Sequence, residues 1–221
     1  MDDQHSKPSL PVPVTNTKQQ AWFTNERLNL LLALCAIVIS AASFYATYLQ
    51  ASAAERQVKA ATWPWLEVIS GNFNVQEKVA EITLEITNSG SGPAIIKYVQ
   101  YFHNDQSYVD IYSLIKDCCF DVYAYEKQLL ELQEKSPKIN FFEQFGWLFT
   151  SESQNRLLAA GTSISLLNFK RTSFNDTQWQ TVDKQRFKIS TSICYCSLLE
   201  QCYISDGRGT VSEVEHCALN D

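Results

Sequence analysis

The 221 residues carry 18 Lys and Arg against 24 Asp and Glu, which gives a formal net charge of −6 at pH 7. With 45% hydrophobic and 12% aromatic side chains, a chain of this length can bury one core but not several, which excludes a multidomain machine. The acidic balance lacks the positive field that binding a phosphate backbone requires, so nucleic acid is not expected as a direct partner.

The first segment, residues 1–27, is predicted to be a disordered polar tail. Pro8, Pro11 and Pro13 stand among Ser, Thr, Gln and Lys, with no apolar periodicity. Such a composition cannot bury enough apolar surface to offset the entropy of ordering.

An uncharged apolar segment of 22 residues runs from Leu28 to Leu49. At about 1.5 Å per residue it spans roughly 33 Å as a helix, which matches a bilayer core of about 30 Å. It has no polar face, unlike an ordinary helix of a soluble protein, and it exceeds the apolar core of a signal peptide. We therefore predict an uncleaved transmembrane helix over residues 28–49. The lipid bilayer is then a direct partner, and the helix offers a surface for homo-oligomers.

Residues 50–62 are rich in helix formers and are predicted to continue the helix as a stalk, until Pro64 removes a backbone donor.

The tail carries one more cation than the stalk, which favours a cytoplasmic N-terminus. The domain over residues 63–221 is then extracytoplasmic. Its even number of cysteines is typical of an oxidising compartment. The six are Cys118, Cys119, Cys194, Cys196, Cys202 and Cys217.

Three interpretations of these cysteines are open. Disulfides come first, because Cys194 and Cys196 project from one face of a predicted strand and a loop carries the vicinal pair Cys118 and Cys119, which could meet them. The sequence does not settle the pairing. A zinc site comes second, although the ligand spacing is irregular. Its ligands would be Cys194, Cys196, Cys202 and Cys217, with His216. Free buried thiols come third, and we predict no bound metal and no cofactor.

The first strands are readable from residue type. Leu66–Ile69 is one, and Glu81–Thr87 is a second, in which Ile and Leu alternate with Glu and Thr to give one buried and one wet face. Turn formers follow, and Ala94–Phe102 is predicted to return as a hairpin partner. The turn residues are Asn88, Gly90, Gly92 and Pro93, and we expect the two glycines to permit positive φ. A structural turn is favoured over a binding loop.

The remaining elements complete the predicted fold. Tyr123–Lys135 reads as a helix, Ser163–Phe169 and Phe187–Ser197 as strands, and the glycines of Gly207–Gly209 as a turn. The fold class is therefore mainly β: an antiparallel β-sandwich with short helical insertions, carried by an N-terminal transmembrane helix and stalk.

Catalytic signatures are missing from the sequence. The domain contains two histidines, His103 and His216, and no G-x-S-x-G, H-E-x-x-H or phosphate-binding glycine loop. We predict that the protein is not an enzyme and has no catalytic residues.

Two motifs after the anchor carry a family resemblance. WPWLE at Trp63–Glu67 and NSGSGPA at Asn88–Ala94 resemble, in this order, a widespread group of bacterial membrane-anchored proteins with WPxLE and NxGxGPA motifs. The resemblance covers roughly residues 25–100, and Cys194–Cys202 resembles a later part of the same group. Some proteins of this kind look similar to toxic effectors encoded beside antiviral systems such as retrons.

The resemblance implies a location in the bacterial inner membrane. It also implies a function as a membrane effector of antiviral defence, which causes abortive infection by perturbing that membrane. The partner or trigger of such an effector is not evident from the sequence. The alternative function is a non-catalytic envelope module for sensing or interaction, tethered by one helix.

Overall fold

The structure is a computed structural model that describes residues 25–136, 138 and 140–218. Most of the tail predicted to be disordered lies outside this range. Its last three residues, 25–27, are helical.

The first element is a single helix of 37 residues, α1 (Asn25–Ala61). Its sequence is dominated by Ala and Leu, the strongest helix formers, and Pro64 stands just beyond its end. None of its residues is buried, and its apolar side chains are largely exposed. Among the described residues, α1 is the one helix that is both long enough and apolar enough to cross a membrane. The residues predicted as a stalk belong to this same helix through Ala61.

The remaining elements form the domain that carries most of the chain. Within the described residues its strands are β1 (Leu66–Gly71), β2 (Glu81–Asn88), β3 (Ala94–His103), β4 (Gln106–Tyr108), β5 (Leu148–Thr150), β6 (Arg156–Leu158), β7 (Ser163–Lys170), β8 (Ser190–Ser197), β9 (Cys202–Ser205) and β10 (Val211–Val214). Its helices are α2 (Ile111–Cys118), α3 (Val122–Lys135), α4 (Phe141–Phe145) and α5 (Asp176–Gln185), followed by a 3-10 turn (Arg186–Lys188).

The strands form two antiparallel sheets. One has the order β1-β2-β7-β5, and the other has the order β10-β9-β8-β3-β4, with β6 also paired to β3. The predicted hairpin between the second and third strands is therefore wrong, because β2 and β3 lie in different sheets. The turn between them carries the chain from one sheet to the other.

One hydrophobic core is shared by the two sheets and three helices. Alternating residues of β2 (Ile82, Leu84, Ile86) meet residues of β3 and β8 and the buried faces of α2, α3 and α5. Asp110 and Asp121 begin α2 and α3 by accepting hydrogen bonds from backbone N–H groups of the first turn, as N-cap residues do. The fold is thus a long apolar helix followed by a domain rich in antiparallel sheet.

The helix content is higher than the sequence analysis predicted. Helices hold 40% and strands 31% of the described residues. The prediction of a mainly β chain is therefore only partly met, chiefly because α1 alone contributes 37 residues.

Strand β8 begins later than predicted. Residues 186–188 form the 3-10 turn, and the strand starts at Ser190, so Phe187 lies outside the strand and is 69% exposed. Within β8, Ile193 and Cys194 are both fully buried, which means that both faces of this central strand are covered.

Candidate functional site

The turn motif of the sequence builds a joint between the end of α1 and the domain. We use "the joint" for residues 60–66 together with residues 88–93. Ser89 N–H donates to Trp65 O at 2.8 Å, and Ser91 N–H donates to Trp63 O at 3.0 Å. The Ser91 hydroxyl donates to Ala60 O at 3.0 Å. Because Ala60 lies in the last turn of α1, its carbonyl has no partner within the helix, and the joint supplies one.

Asn88 is the fully buried centre of the joint. Its Oδ1 accepts hydrogen bonds from Trp65 N–H at 3.2 Å and from Gly90 N–H at 3.1 Å. Its Nδ2 donates to Gly92 O at 2.8 Å and to Leu158 O at 3.1 Å. The amide therefore uses its two donors and accepts twice, and it ties the joint to strand β6.

The glycines of the joint are required by contact and not by backbone conformation. A Cβ on Gly90 would lie 2.3 Å from Trp65 N, and a Cβ on Gly92 would lie 1.9 Å from Thr62 O. Neither residue has positive φ, so that part of the sequence prediction is wrong. The motif keeps glycine here because two backbones touch, a role that only a residue without a side chain can fill.

Tyr195 of β8 lies beneath the joint and is fully buried. Its hydroxyl donates to Pro64 O at 3.4 Å and accepts from Leu66 N–H at 3.5 Å. Burial raises the pKa of Tyr195 to about 12, the Leu66 N–H lowers that pKa somewhat, and nearby Tyr203 raises it. The phenol is therefore held neutral against the backbone that leads from α1 into β1.

Strand β1 leads from the joint to a cleft. Leu66 O accepts a hydrogen bond from Ser205 Oγ at 2.7 Å, and Val68 N–H donates to Gly207 O at 2.8 Å. These bonds join β1, of one sheet, to the β9–β10 turn of the other. The cleft that opens beside them has a volume of about 370 Å³. We call it "the cleft"; it is lined by Val68, Ser70, Leu84, Arg186, Phe187, Ile189, Ser190, Thr191, Gly207 and Arg208.

The β9–β10 turn at the rim of the cleft is held by Asp206. Its Oδ1 accepts backbone hydrogen bonds from Arg208 at 2.8 Å and from Thr210 at 3.0 Å. The Thr210 and Arg208 N–H groups, in that order, hold the pKa of Asp206 below its usual range. The carboxylate is ionised at neutral pH, and its Oδ1 atom is engaged by N–H groups of its own turn.

The cysteines are brought into three pairs at disulfide distance. The sulfur atoms are separated by 2.01 Å in Cys118–Cys119, by 1.98 Å in Cys194–Cys217 and by 2.07 Å in Cys196–Cys202. The vicinal pair thus bonds to itself and does not meet the strand cysteines, because it lies at the end of α2, packed against the core. Cys35, in α1, is free among the described residues.

The zinc site considered from the sequence has a partial counterpart. The sulfur atoms of Cys196, Cys202 and Cys217 lie within 4.8 Å of one another, and His216 does not belong to this group. Zinc binds thiolates, so the bonded state offers no ligand, and the cluster could bind a metal only after reduction.

The cleft contains the residues that sequence reasoning missed. The sequence pattern places Phe187 in a predicted strand and gives no role to Arg186. For Gly207–Gly209 it predicts only a turn. The turn is present, but its position beside β1 depends on sheet pairing between residues far apart in the chain. The one signal available was the density of cations over residues 184–188, KQRFK, in an acidic chain.

The sequence matches no protein-family model, and comparisons with characterised proteins and with solved structures give no match. The resemblance to bacterial membrane-anchored proteins therefore stays a prediction. The features of the molecule that bear on function are α1, the joint, the cysteine pairs and the cleft.

Proposed function

We propose that this chain is a bacterial inner-membrane protein that works as a non-catalytic sensing or interaction module. Its single helix α1 crosses the membrane, and the domain over residues 63–221 lies outside the cytoplasm. The length and apolar composition of α1 support the membrane location.

The cysteine pairs support the extracytoplasmic side. Six of the seven cysteines lie in pairs at disulfide distance, and all six belong to the domain. Stable disulfides form and persist in oxidising compartments and are rare in the cytosol. A domain in the periplasm with the N-terminus in the cytoplasm also agrees with the small excess of cations before the helix.

The joint is the observation that carries the sensing function. A protein that only needed to keep a domain near the membrane could use a flexible linker. Here Gly90 and Gly92 touch the backbone of residues 62–65, and Ser91 caps the end of the helix. A joint of this kind transmits a displacement of the domain to the end of the helix, which a sensor requires and a passive tether does not.

Two experiments test this proposal. An alkaline phosphatase fused after Asp221 should be active, and a cytoplasmic fluorescent reporter at the same place should be dark. The reverse pattern would rule out the proposed compartment.

For the joint, genetically encoded spin labels at Lys59 and Lys97 of the full chain should give one narrow distance distribution in nanodiscs. Insertion of Gly-Ser after Thr62 should broaden it. A broad distribution in the unmodified chain would remove the sensing mechanism.

The antiviral effector predicted from the resemblance stays a second hypothesis, tested in cells. It expects that strong expression collapses the membrane potential and that deletion of residues 28–49 abolishes the effect. Unchanged growth and potential would reject it. Since Cys35 is an exposed free cysteine of α1, oxidative cross-linking at Cys35 also reports whether the helices assemble into homo-oligomers.

A further inference from the structure

The cleft combines positive charge with an apolar floor. Two of its lining side chains are the guanidinium groups of Arg186 and Arg208, and its lining contains no carboxylate among the described residues. Val68, Leu84 and Phe187 provide apolar surface in the same cleft. In a chain with a net charge of −6, the ionised groups of the lining itself are both positive, although Arg186 is paired with Asp183 behind it. A lining with guanidinium groups and no carboxylate favours an anion over a cation.

Arg186 is fixed in place before any ligand arrives. Its side chain is only 10% exposed. Nε donates to Asp183 Oδ1 at 2.8 Å, Nη1 donates to Ser70 Oγ at 3.1 Å, and the guanidinium carbon lies 4.0 Å from the centre of the Phe187 ring. The Nη2 group makes no hydrogen bond to the described residues. The guanidinium group is therefore preorganised and keeps one NH2 group available. Binding of a ligand to it would cost little arginine side-chain entropy.

Arg208 supplies a second, more accessible guanidinium. It is exposed, and Nη2 donates to Ile189 O at 3.3 Å. Nε and Nη1 have no partner in the part of the chain that the structure describes. Asp206, the nearest carboxylate of its turn, is already engaged by backbone N–H groups. The Nε and Nη1 donors of Arg208 are therefore available to a ligand, in the planar fork that suits carboxylate and phosphate groups.

We propose that the cleft binds a small molecule that carries a carboxylate or phosphate group on an apolar or aromatic body. The anionic group lies between Arg208 and the Nη2 edge of Arg186, and the apolar body covers Val68 and Leu84 next to the Phe187 ring. A volume of about 370 Å³ is within the range of small-molecule sites. The inference rests on the proposed sensing function, and it names the ligand class of that module.

Strand β1 gives such a ligand a route to the joint. Val68 lines the cleft and donates its N–H to Gly207 O, also in the lining. Two residues earlier, Leu66 lies in the joint and touches the Tyr195 hydroxyl. A ligand that shifts the β9–β10 turn therefore acts on the strand that leaves the joint.

The test uses the purified full chain in detergent and two aromatic probes, phenyl phosphate and benzoate, with uncharged benzyl alcohol as the reference. Titration calorimetry should show saturable binding of at least one anion and none of benzyl alcohol. Arg208→Gln should weaken that binding at least tenfold, because the side chain makes one internal hydrogen bond and its loss should leave the fold intact. Arg171→Gln is the matched control. Like Arg208, Arg171 is an exposed arginine of the same domain, but it lies outside the cleft.

Two results would overturn the proposal: no saturable binding of either anion, or an equal loss in Arg208→Gln and Arg171→Gln. A competition arm separates the sources of the anion. Nanodiscs with phosphatidylglycerol should displace the probe if a lipid headgroup is the natural ligand, whereas phosphatidylcholine nanodiscs should not. A soluble ligand leaves both nanodiscs without effect. Since binding to the purified chain does not depend on topology, a negative result here leaves the reporter experiment on compartment unaffected.

Discussion

The joint and the cleft lie along the same strand, β1, but they are built in different ways. The joint brings two backbone segments, about 25 residues apart in sequence, into contact around the Asn88 side chain. This close approach requires glycines, which can be recognised in the sequence. The cleft is made by residues that come from β1, β2, the 3-10 turn, the start of β8 and the β9–β10 turn. The joint therefore has a sequence signature in its glycines, whereas the cleft, assembled from distant residues, has none.

The largest expected effect is at the joint. Gly92→Ala places a Cβ 1.9 Å from the Thr62 carbonyl oxygen, a backbone atom that cannot rotate away. We expect the free energy of unfolding of the full chain in detergent to fall by about 3 kcal/mol or more in urea titrations. Gly71→Ala is the control. A Cβ there meets only the side chain of Thr83 at 3.0 Å, so the loss should be much smaller. Equal losses would mean that the joint is not rigid.

The next effect concerns β8, the strand that carries Tyr195 at the joint and Thr191 at the cleft. Replacing Cys194 and Cys217 by serine opens a loop with a sequence separation of 23 residues. The unfolded chain then gains entropy, and stability should fall by about 3 kcal/mol. Replacing Cys196 and Cys202, which are six residues apart, should cost about 2 kcal/mol. Urea denaturation of the two double-serine variants without reductant would show whether this order holds, and a reversed order would contradict it.

A smaller effect is expected at the cleft. Gly207 has φ +70°, and a Cβ would lie 2.4 Å from the Thr191 hydroxyl, a side chain that can move. Gly207→Ala should therefore cost about 2 kcal/mol, for conformational strain and crowding together. Gly209→Ala is a close control, because Gly209 also has positive φ but its Cβ would meet no atom within 4 Å. The two variants should differ in their thermal unfolding midpoints. Identical midpoints would show that the packing around Gly207 accommodates a methyl group without cost.

The smallest effect is that of one hydroxyl and can be recognised by its pH dependence. Tyr195→Phe should cost about 1 kcal/mol at pH 8, because two long hydrogen bonds at the joint are lost. Burial raises the pKa of Tyr195 from 10.0 to about 12. The neutral phenol therefore stabilises the fold fully below pH 10, and this contribution is lost as the pH rises toward 12. The variant should lose less stability than the parent over that interval, with Tyr123→Phe, at an exposed position, as the control.

Sequence patterns found most elements of this fold but not their connections. The alternation in Glu81–Thr87 predicted β2 almost to the residue, because one buried face imposes a period of two. The same local logic joined β2 to β3 as a hairpin. It failed because the turn between them crosses from one sheet to the other, and local sequence does not encode which strand a neighbour pairs with.

The candidate sites divide in the same way. Asn88, Gly90, Gly92 and Pro93 were identified from residue type, although the reason given for the glycines was wrong. The six domain cysteines were identified as disulfide candidates, but their partners depend on the folded positions of β8, β9 and the residues after β10. Arg186 and Arg208 are 22 positions apart and become neighbours only in three dimensions.

The pairing of the strand cysteines also bears on how the chain matures. The Cys196–Cys202 bond lies inside the loop that Cys194 and Cys217 close, so the two bonds are nested. In the proposed topology the domain is exported from its N-terminal end, so Cys194, Cys196 and Cys202 reach the oxidant before Cys217 does. Cys194 can then form a non-native disulfide with Cys196 or Cys202. Correcting this bond requires thiol–disulfide exchange, which is slow without a catalyst. A host that makes this protein in quantity should therefore depend on a disulfide isomerase to obtain the native bonds.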